Sequence, residues 1–443
     1  MNHRHLIPFL LPAVLIVAAV VAGIGMRAAA GAPDAGNAPQ GQYLSATPVD
    51  VMANDLLHDA TRDVIYASIP SSGGANGNSI APIGRDGEVG EAVFVGSEPN
   101  VLARSDDGRY LYVGIDGAGA FRRVDLTDGS VGPLWSLGSD SCGLYTARDM
   151  VGLSGEPDAV ALSRGGGCNS QIAVYDNGVT RPDTIQSFYG IEAIEPSGGP
   201  GTLYGYARES PDSEFHVLST SVDGITRTQT VDGLITGYTA DIHYAAGRVY
   251  ATDGRVVDPA TLTLAGAYAA QGPLAVDVAA GVIYFAAGDI FSGPTPLRAF
   301  DLDTFLPLYS ATLPNFDGIA VVELIALDGD EFVIRLSDNR VFLLQLTEGS
   351  AASGRVTDPN GYGLPGVVIT DEAGHSATTD YMGDYTLAPL ADGTHTLTPV
   401  LDGYVFNPPS IEITTPPDAT GQDFSAAPTP TVWGLCLPVV TNK

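Results

Sequence analysis

The chain has 443 residues, room for two or three domains, and carries 51 Asp and Glu against 20 Lys and Arg, a formal net charge of −31. Such an excess of negative charge keeps a protein soluble and repels phosphate backbones and anionic headgroups. It excludes nucleic acid as a partner, and excludes a membrane partner except through the N-terminal segment.

The N-terminus has the tripartite form of a secretory signal. His3, Arg4 and His5 precede an apolar run from Leu6 to Gly25, followed by small residues Ala28, Ala29, Ala30 and Gly31. A run of about 20 apolar residues is also long enough to cross a bilayer. Residues 1–30 are therefore read as a signal peptide or an N-terminal anchor, and the folded part is expected outside the cytoplasmic membrane, extracellular or at the cell surface. Residues 31–42 are small and polar and read as a disordered linker.

From Tyr43 the chain reads as β-structure. Tyr43–Val49 is an extended segment with no hairpin partner of its own. Short segments then recur between turns, most clearly over Glu98–Gly129, where Asp107-Gly108, Asp116-Gly117 and Asp128-Gly129 offer the positive φ that tight turns need. The second segments align as DVIYAS (Asp63–Ser68), RYLYVG (Arg109–Gly114), DAVALS (Asp158–Ser163), TLYGYA (Thr202–Ala207), RVYATD (Arg248–Asp253), VIYFAA (Val282–Ala287) and EFVIRL (Glu331–Leu336). Tyr66, Tyr112, Tyr204, Tyr250 and Tyr284 fall at one place in the alignment and are expected to be core between repeats. A period of roughly 40–45 residues with four strands each is that of a propeller blade. Seven such units fit between residues 43 and 350. The last lacks an outer strand, which Tyr43–Val49 is expected to supply, so that no sheet edge stays open.

The stretches SDDGRYLYVG (Ser105–Gly114) and FRRVDLTDG (Phe121–Gly129) resemble the YVTN-type repeats of bacterial secreted β-propellers. That resemblance implies a fold and not an activity, since such propellers serve as lactonases, dehydrogenases, lyases and non-catalytic binding modules.

A second domain is expected over residues 351–425. Gly354-Arg-Val, Leu364-Pro-Gly-Val, Thr379-Asp380, Gly383, Tyr385, Leu390, Gly393 and Leu397 follow in an order that resembles the carboxypeptidase regulatory-like domain, a small transthyretin-like β-sandwich. His395 stands where that family has an aromatic residue. Leu364, Val367, Ile369, Tyr385, Leu387, Leu390, Leu397, Tyr404 and Phe406 can form its core. The resemblance implies an accessory module. Residues 426–443 are a Pro-, Ala- and Thr-containing linker followed by an apolar tail around Trp433.

Export permits a disulfide. Cys142 precedes one repeat's first strand and Cys168 sits in a Gly-rich loop between that repeat's second and third strands, which places the two loops on one edge and favours their pairing over two free thiols. Cys436 is then the odd one out.

No nucleophile elbow, His-Glu-x-x-His, P-loop or Cys-x-x-Cys is present. Candidate sites therefore come from the first strands of the repeats, which line a propeller's channel. With the tyrosines aligned, Asp59, Ser105, His243 and Asp277 fall in one column just before the first hairpin turn, and Asp59, His243 and Asp277 are the candidate metal ligands, with calcium the cation that oxygen donors favour. Glu192, Asp241 and Glu323 on neighbouring first strands are candidate binding residues. Arg104 and Arg148 are candidates for holding a carboxylate or phosphate.

The sequence thus describes an all-β protein: a seven-bladed β-propeller closed by its N-terminal strand, with a small C-terminal transthyretin-like sandwich. The functional expectation is an exported, non-catalytic binding or scaffold protein, with a protein or polysaccharide partner at the cell surface. A calcium-dependent lactonase-like hydrolase with a channel site is the alternative.

Overall fold

The computed structural model describes residues 41–429, apart from 167, 188–189, 209–212, 287–295, 315 and 317. The expected signal segment, most of the linker, and the apolar tail with Trp433 and Cys436 lie outside the described residues.

The chain folds into consecutive small antiparallel sheets. Six follow in order along the chain. The first comprises Asp55–Asp59, Val64–Ile69, Ser79–Ile83 and Val93–Phe94, and the second Pro99–Arg104, Tyr110–Ile115, Ala120–Asp125 and Trp135–Ser136. The third is built on Thr146–Leu153, Glu156–Gly165 and Ser170–Asp176. The fourth runs from Ala193–Pro196 to Gly224–Asp232, the fifth from Ile242–Ala245 to Thr263–Ala267, and the sixth from Leu274–Asp277 to Pro307–Thr312. The last sheet contains Val321–Asp328, Glu331–Leu336 and the long strand Arg340–Thr357. Gly41–Met52 pairs antiparallel with that long strand, from Gly41 opposite Gly349 to Val49 opposite Val341.

The turns explain why the strands end where they do. Gly108 has φ +70° and Gly129 φ +72°, both in the left-handed region that glycine enters without steric cost. Asp116-Gly117 behaves differently. Residues 116–118 form a short 3-10 turn and the left-handed residue is Gly119. Gly117 is needed for another reason: a Cβ there would lie 2.5 Å from Ser97 Oγ.

Each sheet buries one face against the next, so the cores lie between sheets. Tyr66 and Ile80 pack with Leu102, Leu111 and Val113 of the second sheet. Tyr112 and Phe121 pack with Met150, Leu162 and Tyr175 of the third. Tyr204 and Phe215 meet Ile242 and Val249, Tyr250 meets Ile283 and Phe285, and Tyr284 meets Phe332 and Ile334. All five aligned tyrosines thus sit between sheets. The third sheet has Ala161 in their place, and its contact with the fourth is aliphatic, through Ile172, Val174, Ile194 and Leu203. Leu56, Ile65 and Ile83 of the first sheet pack with Val49, Val333 and Val341 of the last.

Past residue 350 the long strand enters a second packing unit, where it pairs with Asp384–Leu390 and Phe424–Pro428. A separate four-stranded sheet holds Ser376–Thr378, Val368–Thr370, Gly393–Val400 and Ile411–Thr415. Between them lies one core containing Val356, Val367, Ile369, Tyr385, Leu387, Leu390, Leu397 and Phe424, with Leu364, Tyr404 and Phe406 at its margin. His395 is buried beside it, and its Nε2 lies 2.8 Å from the carbonyl of Ala391.

The pairing of Gly41–Met52 has a measurable consequence. Without residues 41–49, the strand beginning at Arg340 presents a row of unpaired backbone groups, and Leu44, Ala46 and Val49 leave the cores they fill. A chain starting at Asp50 is expected to melt at lower temperature and to self-associate as concentration rises. Size-exclusion chromatography and thermal unfolding check this; an unchanged monomer with unchanged melting would show the strand to be dispensable.

Candidate binding site on the inner strands

First strands of successive sheets are neighbours: Asp55–Asp59 lies beside Pro99–Arg104, that strand beside Thr146–Leu153, that beside Ala193–Pro196 and that beside Ile242–Ala245, while Leu274–Asp277 lies beside Val321–Asp328, which lies beside Asp55–Asp59. Their acidic residues share a register. Asp55 is opposite Ser68, Asp149 opposite Ser163 and Glu323 opposite Arg335. The Asp241 carbonyl accepts the Thr252 N–H, and the Asp241 N–H donates to Thr252 Oγ1. In each case the partner stands two residues beyond the aligned tyrosine position, so one layer of acids recurs in the first, third, fifth and last sheets.

These carboxylates bind backbone on the next sheet. Leu102 N–H donates to Asp55 Oδ2 at 2.7 Å, and Ile194 N–H to Asp149 Oδ2 at 2.7 Å. Leu56 N–H donates to Glu323 and Tyr244 N–H to Glu195. Three cations stand among them. Arg335 Nε bonds Glu323 Oε2 at 2.7 Å, His243 Nδ1 lies 3.4 Å from Glu195 Oε1, and Arg208 pairs with Asp241. Arg208 N–H also donates to Glu192 Oε2 at 3.0 Å. Among the described residues and bonds, six carboxylates therefore stand with two guanidinium groups and one imidazole.

The electrostatics follow from that imbalance. Burial, then the charge of Glu323, pushes Asp55 well above the carboxylate range, against the Leu102 N–H and Arg335. Burial and the charge of Asp241 push Asp149 up to about 8, against Arg208 and the Ile194 N–H. Glu195 and Glu323 are raised by burial as well, although His243 and Arg335 oppose the shift. Burial works against a charge on His243, but Glu195 outweighs it and the imidazole is raised. Desolvation leads in each case because strands enclose the space, yet water enters it: side-chain exposure runs from 17% at Arg335 to 56% at Asp241.

The candidate residues are only partly assembled here. Glu192, Asp241, His243 and Glu323 belong to this cluster. Asp59, His243 and Asp277 do not converge on one point. Asp59 is buried in the hairpin between the first two strands, where its carboxylate takes Thr61 Oγ1 and Arg104 Nη1 at 2.6 Å and Arg62 Nη1 at 2.7 Å. Burial opposes its ionisation, but Thr61, Arg62 and Arg104 outweigh that and hold it at about 2. Asp277 caps its own turn through Ala280 N–H at 2.9 Å. The common column fails because the hairpins differ in length. Asp59 opposite Val64 and Asp277 opposite Val282 close their hairpins, whereas Ala245 opposite Arg248 closes the fifth sheet's. His243 lies two residues farther down the strand, about 7 Å away. Arg104 is thus a partner of Asp59, and Arg148 is exposed near Asp116.

Asp55, Asp149 and Glu195 escaped sequence reasoning. For Asp55 and Asp149 the available signal was cross-strand, an acid opposite a serine two places beyond the aligned tyrosine position, whereas Glu195 stands opposite Tyr204 itself. Elsewhere, a cavity of about 800 Å³ opens where the first and last sheets meet, lined by His58, Asp63, Arg85, Asp330, Glu331 and Gln345 among others. Arg85 spans it, bonding Asp63 and Glu331 at 2.6 Å each. A disulfide joins Cys142 and Cys168, with Cα atoms 5.7 Å apart.

No known family profile matches the chain, and no curated protein matches it. Solved structures do. The β-propeller domain of Myceliophteria thermophila Cps50 (Swd1) superposes with a TM-score of 0.51 at 10% identity, over 67% of this chain and 98% of that one. Kuenenia stuttgartiensis hydrazine synthase gives a TM-score of 0.50 at 12% identity, over 68% and 97%. At such identities the likeness concerns the fold, which is all-β and similar to β-propellers.

The raised carboxyl of Asp149 sets a pH dependence. Below about pH 4 it is protonated in both folded and unfolded chains. Between there and about pH 8 the folded chain keeps a proton that the unfolded chain has lost. Its contribution to stability therefore falls as pH rises, by at most about 1.4 kcal/mol per pH unit, and levels off above pH 8. Asp149→Asn keeps an acceptor for Ile194 N–H and removes the titration. The stability of the native chain minus that of the variant, from urea unfolding, is expected to decline from pH 4 to 8; a flat difference would contradict the assignment.

Proposed function

We propose that the chain is a non-catalytic interaction scaffold, a seven-bladed propeller of YVTN type that binds a protein partner through its inner-strand acids. The six consecutive sheets supply six blades. The last sheet, with Gly41–Met52 as its outer strand, supplies the seventh and closes the ring against the first. The unit after residue 350 is read as the transthyretin-like sandwich, an accessory module. The N-terminal segment supports export, and with it an extracellular or cell-surface location.

One observation carries the functional reading: the surplus of carboxylates over cations on the inner strands, in a space that water reaches. Such a site attracts positive charge, and the overall charge of −31 extends that attraction over a long range. A partner offering arginine or lysine side chains fits, and a neutral polysaccharide gains nothing from the charge. The hydrolase reading needs free oxygen ligands gathered on one cation. Here Asp55, Asp149, Glu195 and Glu323 already accept backbone N–H groups, which supports a recognition surface.

The test is calorimetry on the full chain against arginine- and lysine-bearing peptides, matched neutral peptides and neutral oligosaccharides. Binding is expected for the cationic peptides alone, weakening as salt is raised from 50 to 500 mM and weakening further in Asp241→Asn. Binding of oligosaccharides with no response to cationic peptides would overturn the protein-partner reading. Calcium binding lost in Glu323→Gln would favour the hydrolase.

A further inference from the structure

We propose that Asp140, Cys142 and Cys168 form a redox-gated site for a thiophilic divalent cation of the zinc class. The proposal is independent of the inner-strand site, and its residues lie on different loops.

Ser139–Asp140 and Gly143–Leu144 pair as a minimal hairpin just ahead of the third sheet. Gly143, at φ +138°, makes the tight return. Cys168 comes from the loop between Glu156–Gly165 and Ser170–Asp176. One ligand atom from each of Asp140, Cys142 and Cys168 lies within 4.8 Å of the others, and among the described residues they are the only His, Cys, Asp or Glu group of three or more so placed. The inner-strand acids, although more numerous, do not meet that condition.

The carboxylate is oriented by both cysteine-bearing segments. Asp140 Oδ1 accepts the Cys142 N–H at 2.7 Å, and Oδ2 accepts the side-chain amide of Asn169, next to Cys168, at 3.4 Å. Outer hydrogen bonds of this kind hold a ligand's rotamer before the ion arrives. Cys142 is exposed, while Asp140 and Cys168 are half-buried, so ion and reductant have access from one side.

Disulfide and metal exclude each other, because a disulfide sulfur has no thiolate charge to donate. Their backbone demands are compatible. Two thiolates on zinc stand about 3.7 Å apart, given Zn–S bonds of about 2.3 Å in a tetrahedron. Rotation about the Cα–Cβ bonds opens that gap from a Cα separation of 5.7 Å. The switch balances with a dithiol as reductant. The dithiol gives two electrons and two protons and becomes a disulfide, while the Cys142–Cys168 bond breaks to two thiols. The cation then displaces both thiol protons and takes two sulfurs and one Asp140 oxygen, with water in the fourth position. Two soft donors select zinc or cobalt over calcium or magnesium. In either state the hairpin stays tied to the third sheet.

Cobalt titration of the full chain, reduced by a phosphine under argon, tests this. One equivalent of Co²⁺ is expected to give thiolate-to-cobalt charge transfer in the near ultraviolet and tetrahedral d–d bands, both removed by Zn²⁺. The oxidised chain should show neither. Cys436→Ser should keep the bands, and Cys142→Ser with Cys168→Ser should lose them. Asp140→Asn, which leaves the disulfide intact, should keep the charge-transfer band but weaken binding about tenfold or more. Reduced chain without bands, bands surviving the double variant, or undiminished affinity in Asp140→Asn would each overturn the site.

Discussion

The constraint on which the arrangement depends is the unpaired edge of each first strand. Within a sheet the ladder satisfies the backbone, but a first strand stands at the end of its sheet's order and pairs on one side only. Its N–H groups need acceptors, since a buried donor left alone costs about 1–3 kcal/mol. Asp55, Asp149, Glu195 and Glu323 provide them for Leu102, Ile194, Tyr244 and Leu56. A side chain on one sheet thus fixes the backbone of the next, and apolar packing between the sheets follows at a defined spacing. Bonds to a charged acceptor contribute about 1.5–3 kcal/mol each, more than neutral ones. Gathering the acceptors opposes this, because each charge raises the others. Asp149, at about 8, shows which effect wins at neutral pH: it keeps its proton and still accepts through Oδ2.

Much of the fold was legible because it is written in local signals. Asp107-Gly108 and Asp128-Gly129 make the turns their dipeptides promise. The recurring tyrosines report the period, and Tyr66, Tyr112, Tyr204, Tyr250 and Tyr284 all fill spaces between sheets. The core of the C-terminal unit could be named residue by residue. Where the third sheet has Ala161, the loss of an aromatic ring is met by isoleucines from both sides, a compensation with no local signature.

The site was less legible for a geometric reason. Side chains on inner strands meet across sheets, so their neighbours are set by register and not by sequence distance. Counting back along the chain from the aligned tyrosine crosses the hairpin turn and so assumes equal turns. The first sheet spends residues 60–63 on its turn and the fifth only Ala246 and Gly247. That difference displaced His243 by two residues and joined it to Asp59 and Asp277, which cap turns. Reading across the ladder from the residue two places beyond the tyrosine position instead recovers Asp55, Asp149, Asp241 and Glu323 as one layer. Strand pairing is the better ruler, because a ladder fixes register while turns vary freely.

The same layer bears on what the proposed scaffold can recognise. A protonated Asp149 is an acceptor without charge, so near neutral pH the site holds less negative charge than its composition suggests. A guanidinium or ammonium group entering beside Asp149 and Asp241 favours the ionised form and releases that proton. On the proposed reading, cation binding and proton release are therefore coupled, and affinity grows as pH rises toward about 8, where the proton is already gone. Neutral ligands lack this coupling. On the proposed reading Asp149 thus serves two demands: protonated, it accepts the Ile194 N–H without repelling its neighbours, and ionised, it meets a positive partner.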